Sequence, residues 1–323
     1  MTTFVYEDEV NNNNDGMFED ALAFNSTVNC WDTSKVISFE RMFEEATSFD
    51  RPVGDWDTSS ATSFYRMFNQ ASSFNQPVGD WDTSSATRFR SMFWKASSFN
   101  QTVGEWDTSS ATSFRSMFDR ASSFNQAVGD WDTSSATSFR SMFELASSFD
   151  QACGDWDVAR VTTMYEMFEE TPFNQDISRW NVASVTTMET MFQGAVFYDQ
   201  PMPDWDTAKV EDMASMFEYD DSKTGIFSGL PTTFNQDISR WNVASVKDMQ
   251  NMFDGASSFN QDLSNWNVSS ITSMNFMFYN ALKFNQNLSK WHAPNLEEDG
   301  GCNFALGAAC GPDCSFSKYK LCN

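Results

Sequence analysis

Carboxylates set in pairs around tryptophan are the residues of this sequence best placed to do chemistry. Asp55 and Asp57 enclose Trp56, and the arrangement returns every 25 residues as Asp80 and Asp82, Glu105 and Asp107, Asp130 and Asp132, and Asp155 and Asp157, with Asp204 and Asp206 further on. Pairs from two adjacent repeats would supply much of the six to eight oxygens that Ca2+ takes, which makes Asp80, Asp82, Glu105 and Asp107 the candidate calcium set. Neighbouring strands lie about 4.8 Å apart, so like charges in such a row repel by roughly 0.9 kcal/mol per pair even in water. Three readings stay open: a solvated acidic face that blocks aggregation, a surface for a basic protein or a cation-bridged partner, and specific Ca2+ sites. No other cofactor is expected.

Catalysis has little to work with. The chain holds one histidine, His292, at the position where other repeats carry Asp or Asn, and it lacks a P-loop, a G-x-G-x-x-G and an HExxH. Paired carboxylates are so common here that no single pair stands out as a glycosidase site. The expectation is a protein that is not an enzyme. Trp94 stands where other repeats carry Asp119, Glu144 or Glu169, and is either an exposed interface anchor or partly buried against a neighbouring repeat. Residues 218–233 form the one large insertion; Tyr219 and Phe227 within it are candidate partner-binding residues, or the segment is a tolerated excursion.

Four of the six cysteines, Cys302, Cys310, Cys314 and Cys322, cluster in the last 22 residues. Their spacing does not give the two short hooks of a zinc site, so two disulfides closing a small terminal cap are expected, in any of three pairings. Cys30 and Cys153 fall at different repeat positions about five repeats apart. That is too far for a disulfide, and both are read as buried free thiols. Sequons at Asn25, Asn100, Asn267 and Asn287 are compatible with secretion but carry little weight in a chain rich in Asn and Ser.

The elements that must position these residues follow from an alignment on tryptophan. Trp31, Trp56, Trp81, Trp106, Trp131, Trp156, Trp180, Trp205, Trp241, Trp266 and Trp291 recur at a spacing of 25 with two exceptions, and all but the last are followed eleven residues on by Met-Phe. Self-similarity at this period marks a repeat protein whose units bury their apolar faces against one another. In residues 261–284, Leu263, Trp266 and Val268 read as a short strand with Asn265 and Asn267 outward, while Met274, Met277, Phe278 and Ala281 follow the i, i+3, i+4, i+7 rule of a short helix. Ser269 and Ser270 sit at its N-cap position. The Asn285-Gln286 step, like Asn75-Gln76 earlier, could stack and hydrogen-bond from repeat to repeat as an amide ladder.

The L-x-x-W-x-V segment, the V-T-x-M-x-x-M-F-x-x-A segment and the F-N-Q step resemble the BspA-like leucine-rich-repeat surface proteins of the lipoprotein-associated repeat type, over roughly residues 17–291. The resemblance implies a leucine-rich-repeat-like fold at a cell surface, serving adhesion or partner recognition without enzymatic activity. The first half departs from it: Thr33, Thr58, Thr83, Thr108 and Thr133 replace the strand valine, and Phe39, Phe64, Phe89, Phe114 and Phe139 replace the first methionine. No lipobox is present, so membrane anchoring does not carry over.

Together these readings predict an α/β solenoid, a right-handed coil of about eleven repeats, each a short parallel strand plus a short helix. Residues 1–16 form an acidic, Asn-rich entry segment, 17–293 the repeats with the insertion at 218–233, and 294–323 the Cys-rich cap. A net charge of −25 excludes nucleic acid and anionic membrane surfaces as partners, and the lack of a long apolar run excludes membrane insertion. The expected role is recognition or adhesion of a protein or glycan, outside the cell or at its surface although no signal peptide is visible; the alternative is a self-assembling subunit of an extracellular filament or matrix. Outward positions turn from acidic to neutral or basic in the later repeats, at Arg179 and Asn181, Arg240 and Asn242, Asn265 and Asn267, and Lys290 and His292.

Overall fold

A tandem repeat places an equivalent backbone beside every segment, so each N–H can bond within its own repeat or across to the next. The computed structural model describes residues 16–219, 226–297 and 304–308. It divides into two compact units, Met1–Val158 and Ala159–Asn323.

Among the described residues there is no helix, and the only parallel pairing is by isolated bridges. The expected α/β solenoid of strand plus helix is therefore wrong. The segment around Met67-Phe68 shows why. Phe64, Arg66, Phe68 and Gln70 send their N–H groups across to the carbonyls of Arg88, Arg90, Met92 and Trp94, while Met67, Asn69 and Ala71 close turns onto residues three back. A helix would need all of them to bond four residues back within one segment. Arg66 and Gln70 take left-handed φ values of 55° and 58°, and equivalent residues do so in repeat after repeat. This chain of turns still directs Phe64, Met67, Phe68 and Ala71 inward, which reproduces the helical spacing without the helix.

The expected strand is also a turn. Trp56 donates its N–H to Val53 and Ala61 to Thr58, so the tryptophan segment bends twice. Pairing occurs a few residues later, at Ser38, Ser63, Arg88, Ser113 and Ser138 in the first unit and at Thr163, Thr187, Asp212, Asp248 and Ser273 in the second. The alternation of facing holds nonetheless: Trp56 and Thr58 are buried, Asp55 and Asp57 exposed. In the first unit Gly104 follows Val103 at the bend, and a Cβ there would meet the carbonyl oxygen of Ala127 in the next repeat at 3.0 Å.

Aromatic columns form the core. In the first unit Phe68, Phe93 and Phe118 stack at 5.7 and 5.6 Å, Phe74, Phe99 and Phe124 at 6.0 Å, and Phe64, Phe89 and Phe114 at 5.8 and 6.1 Å. Tryptophan supplies a fourth column, with Trp81 and Trp106 at 6.3 Å. Each such side chain contributes about 2–3 kcal/mol by burial, and stacked pairs contribute further. Every layer is also pinned by polar bonds. The indole of Trp106 donates to the carbonyl of Val78 at 3.0 Å, and the expected amide ladder forms: Asn75 Oδ1 accepts the backbone N–H of Asn100 at 2.9 Å and the side-chain amide of Gln101 at 3.0 Å.

The second unit repeats this plan with three aromatic columns and one of methionine, Met164, Met188, Met213, Met249 and Met274, all buried. The insertion leaves its register intact, since Phe217 stacks on Phe253 at 5.6 Å and Trp205 on Trp241 at 6.0 Å. Residues 304–308 continue the layering where Phe278 and Asn280 donate to Phe304 and Leu306. Cys153 is buried, and burial pushes its thiol pKa well up. Cys30 is exposed, contrary to expectation, because its position faces outward. Cys302, Cys310, Cys314 and Cys322 lie outside the described residues.

Candidate binding face

Each acidic pair is positioned by the buried tryptophan between its members, and the indole bond to the preceding layer fixes that tryptophan. Asp55, Asp57, Asp80, Asp82, Glu105, Asp107, Asp130, Asp132, Asp155 and Asp157 are all exposed. The two members of a pair differ in duty. The one after tryptophan closes a local turn: Asp82 Oδ1 accepts the backbone N–H and the hydroxyl of Ser84 at 3.0 and 2.6 Å, and Asp107 does the same with Ser109. The Ser84 hydroxyl, then the Ser84 N–H, hold Asp82 below the usual carboxylate range, and Ser134 does likewise for Asp132. The member before tryptophan, such as Asp80 or Glu105, points outward with no such turn to close.

The calcium set does not converge. Among the described residues no three of Asp80, Asp82, Glu105 and Asp107 bring ligand oxygens within 4.8 Å of one another, and Asp82 and Asp107 each already have an oxygen engaged by serine. The residues as placed do not fit a calcium cage.

Trp94 is half-buried, its indole N–H donating to Asp119 Oδ2 at 2.8 Å and its ring covered by Lys95 Nζ at 4.0 Å from the centroid. Arg120 joins this group, 3.8 Å from Asp119 and 2.8 Å from Glu144. Trp94 thus ties a polar column together and does not project as an anchor. Tyr219 and Phe227 do come together, the Tyr219 hydroxyl lying 3.4 Å from the Phe227 carbonyl, and Phe227 meets the Phe197 ring edge-on at 5.5 Å. His292 is exposed.

A basic column in the first unit does not follow from the carboxylate pattern. Arg90, Arg115 and Arg140 share one repeat position, two residues after the pairing position that Arg88 occupies. Arg88 lies 3.3 Å from Glu40, and the Arg90 guanidinium sits 5.8 Å from the centre of the Tyr65 ring, which Arg66 approaches at 5.3 Å. The spacing of 25 was a visible signal, hidden by the strongly acidic total. In the second unit a different polar feature stands on the pairing position: Asp212 and Asp248 are bridged neighbours. Burial raises the Asp212 pKa, the Ala214 N–H opposes that, and the Asp248 charge adds to it.

Matches to one family of repeats run in tandem along the sequence, over residues 8–101, 75–172, 112–228 and 222–302, under the description Mycoplasma protein of unknown function, DUF285. The chain belongs to this DUF285 family. No curated protein and no solved structure matches it. Membership in DUF285 establishes tandem repeats and leaves the BspA-like kinship a matter of resemblance. No helix of the described residues is long and apolar enough to cross a membrane.

Proposed function

We propose that this DUF285 protein is a non-catalytic recognition or adhesion protein, acting outside the cell or at its surface, whose first unit offers its acidic rows to a cationic partner, either a basic protein or a surface bridged by cations. The observation that supports this reading is the register of the exposed carboxylates: ten of them, from Asp55 to Asp157, held at fixed repeat positions around buried tryptophans. Fixed like charges in a row repel one another, and a cationic partner relieves that repulsion on contact while the net charge of −25 speeds its encounter. Adhesive use of such a face agrees with the likeness to BspA-like surface proteins.

The test compares two variants of equal net charge in binding poly-lysine at physiological salt. Asp80→Asn, Asp82→Asn, Glu105→Gln and Asp107→Asn together should weaken binding about tenfold, equivalent to about 1.4 kcal/mol. Neutralising Asp176, Glu211, Asp237 and Asp262 of the second unit should change it less than twofold. Equal losses in both would leave only a net-charge effect and overturn the proposal.

A further inference from the structure

We propose that the arginine edge of the first unit is a docking surface for the acidic rows of a second copy of the same chain. The inference rests on the reading of those rows as a binding face and names one partner for it. Three observations carry it. Basic side chains are scarce, 20 Lys and Arg against 45 Asp and Glu, yet Arg88, Arg90, Arg115 and Arg140 gather at two positions, two residues apart, of three successive repeats. The acidic rows occupy the same repeats on the far side of a turn; Ser84 and Ser85 make that bend between Asp82 and Arg88. Both rows ride on one set of stacked layers, whose ring columns step by 5.6 to 6.3 Å.

That shared step is the physical point. A foreign polyion has to match the layer spacing by accident, whereas a second copy matches it by construction, so every arginine that pairs brings the next layer's arginine opposite a carboxylate. Arg90 is exposed and carries a cation–π contact with Tyr65, which limits its freedom before docking and lowers the ordering cost on contact. Guanidinium also suits carboxylate in geometry, through paired N–H groups. Against this stands the repulsion between two chains of charge −25. That repulsion acts at long range and is largely screened beyond about 8 Å at physiological salt, whereas contacting pairs are screened much less. Association should therefore be strongest at intermediate ionic strength, weakened by repulsion at very low salt and by screening of the pairs at high salt.

Sedimentation equilibrium of the full chain across concentration and salt tests this. Wild type should self-associate with that salt optimum. Arg90→Glu with Arg115→Glu, on one hand, and Asp80→Lys with Glu105→Lys, on the other, should each remain monomeric while keeping the wild-type circular dichroism, and an equimolar mixture of the two variants should regain association. A wild type that is monomeric under all conditions overturns the proposal, as does unchanged association in either variant, or a mixture that stays monomeric. Should wild type be monomeric while poly-lysine still binds the acidic rows, this inference fails and the recognition reading stands; loss of both removes both.

Discussion

The first unit builds its core from four aromatic columns and carries acids on both sides of Trp56, Trp81, Trp106, Trp131 and Trp156; the second replaces one phenylalanine column with methionine and carries Arg, Lys or Asn in the position before most of its tryptophans. Their interiors are nonetheless held in the same way. Trp106 in one and Trp266 in the other bond the layer before them, and Asn75 and Asn235 each hold the Asn-Gln step that follows. Acids are relocated in the second unit as well as reduced. Asp176, Asp237 and Asp262 stand four residues before tryptophan, where each closes a turn on a serine that replaces the glycine of the first unit. Core identity is thus interchangeable between the units, and what distinguishes them is the face each turns to solvent.

The largest effect expected from probing this contrast is in the columns. Phe114→Ala should cost about 4 kcal/mol and Met249→Ala about 3 kcal/mol, and the direct exchange Phe114→Met only about 1.5 kcal/mol, read by native-state hydrogen exchange within each unit. A cost for the exchange equal to that of alanine would show that the columns are not equivalent.

Next comes the bend before tryptophan. Gly104→Ala drives a Cβ toward the Ala127 carbonyl and should cost about 2 kcal/mol. Ser264→Ala at the matching position loses one hydroxyl bond to Asp262 and should cost about 0.5–1 kcal/mol. Urea melts of the two variants should keep that order.

Smaller again is the threonine that replaces valine. Thr108 Oγ1 donates to the carbonyl of Asp132 at 2.9 Å, so Thr108→Val should lose about 1 kcal/mol. The second unit retains one such bond, Thr207 to Asn242 at 3.0 Å, and Val243→Thr should stabilise by less than that amount if its hydroxyl reaches the next layer.

The smallest effect concerns protons. Asp212 is raised by burial and by Asp248, so the unfolded chain ionises first; stability falls as pH rises from the ordinary carboxylate range through the raised folded value. Asp212→Asn, whose Oδ1 can still accept from Ala214, should raise the melting temperature at neutral pH and leave it unchanged in acid. Asp82 and Asp132 run the other way: their serine bonds lower the folded pKa, and that stability is present above the ordinary range and lost as pH falls through the lowered value.

Much of this was legible in the sequence. The period, the inward residues, the exposed acids and the amide ladder all follow from side-chain spacing, which the fold obeys. The backbone was not legible, because the i, i+3, i+4, i+7 pattern of Phe64, Met67, Phe68 and Ala71 arises equally from turns with left-handed residues. Those residues are Arg66 and Gln70, or Ser116 and Arg120, side chains that give no sign of a left-handed backbone. Gly194 and Gly255, in the same position with φ of 68° and 66°, were the one available hint. The parallel pairing was placed at tryptophan because alternation marks facing, and facing alone does not reveal where neighbouring backbones bond.

Hydrogen exchange of the full chain with and without poly-lysine tests the division of labour between the units most directly. Protection is expected in peptides covering residues 55–57, 80–82, 105–107 and 130–132, and not in those covering 237–267. Protection centred on the second unit, or spread evenly over both, would contradict the assignment of recognition to the acidic rows of the first.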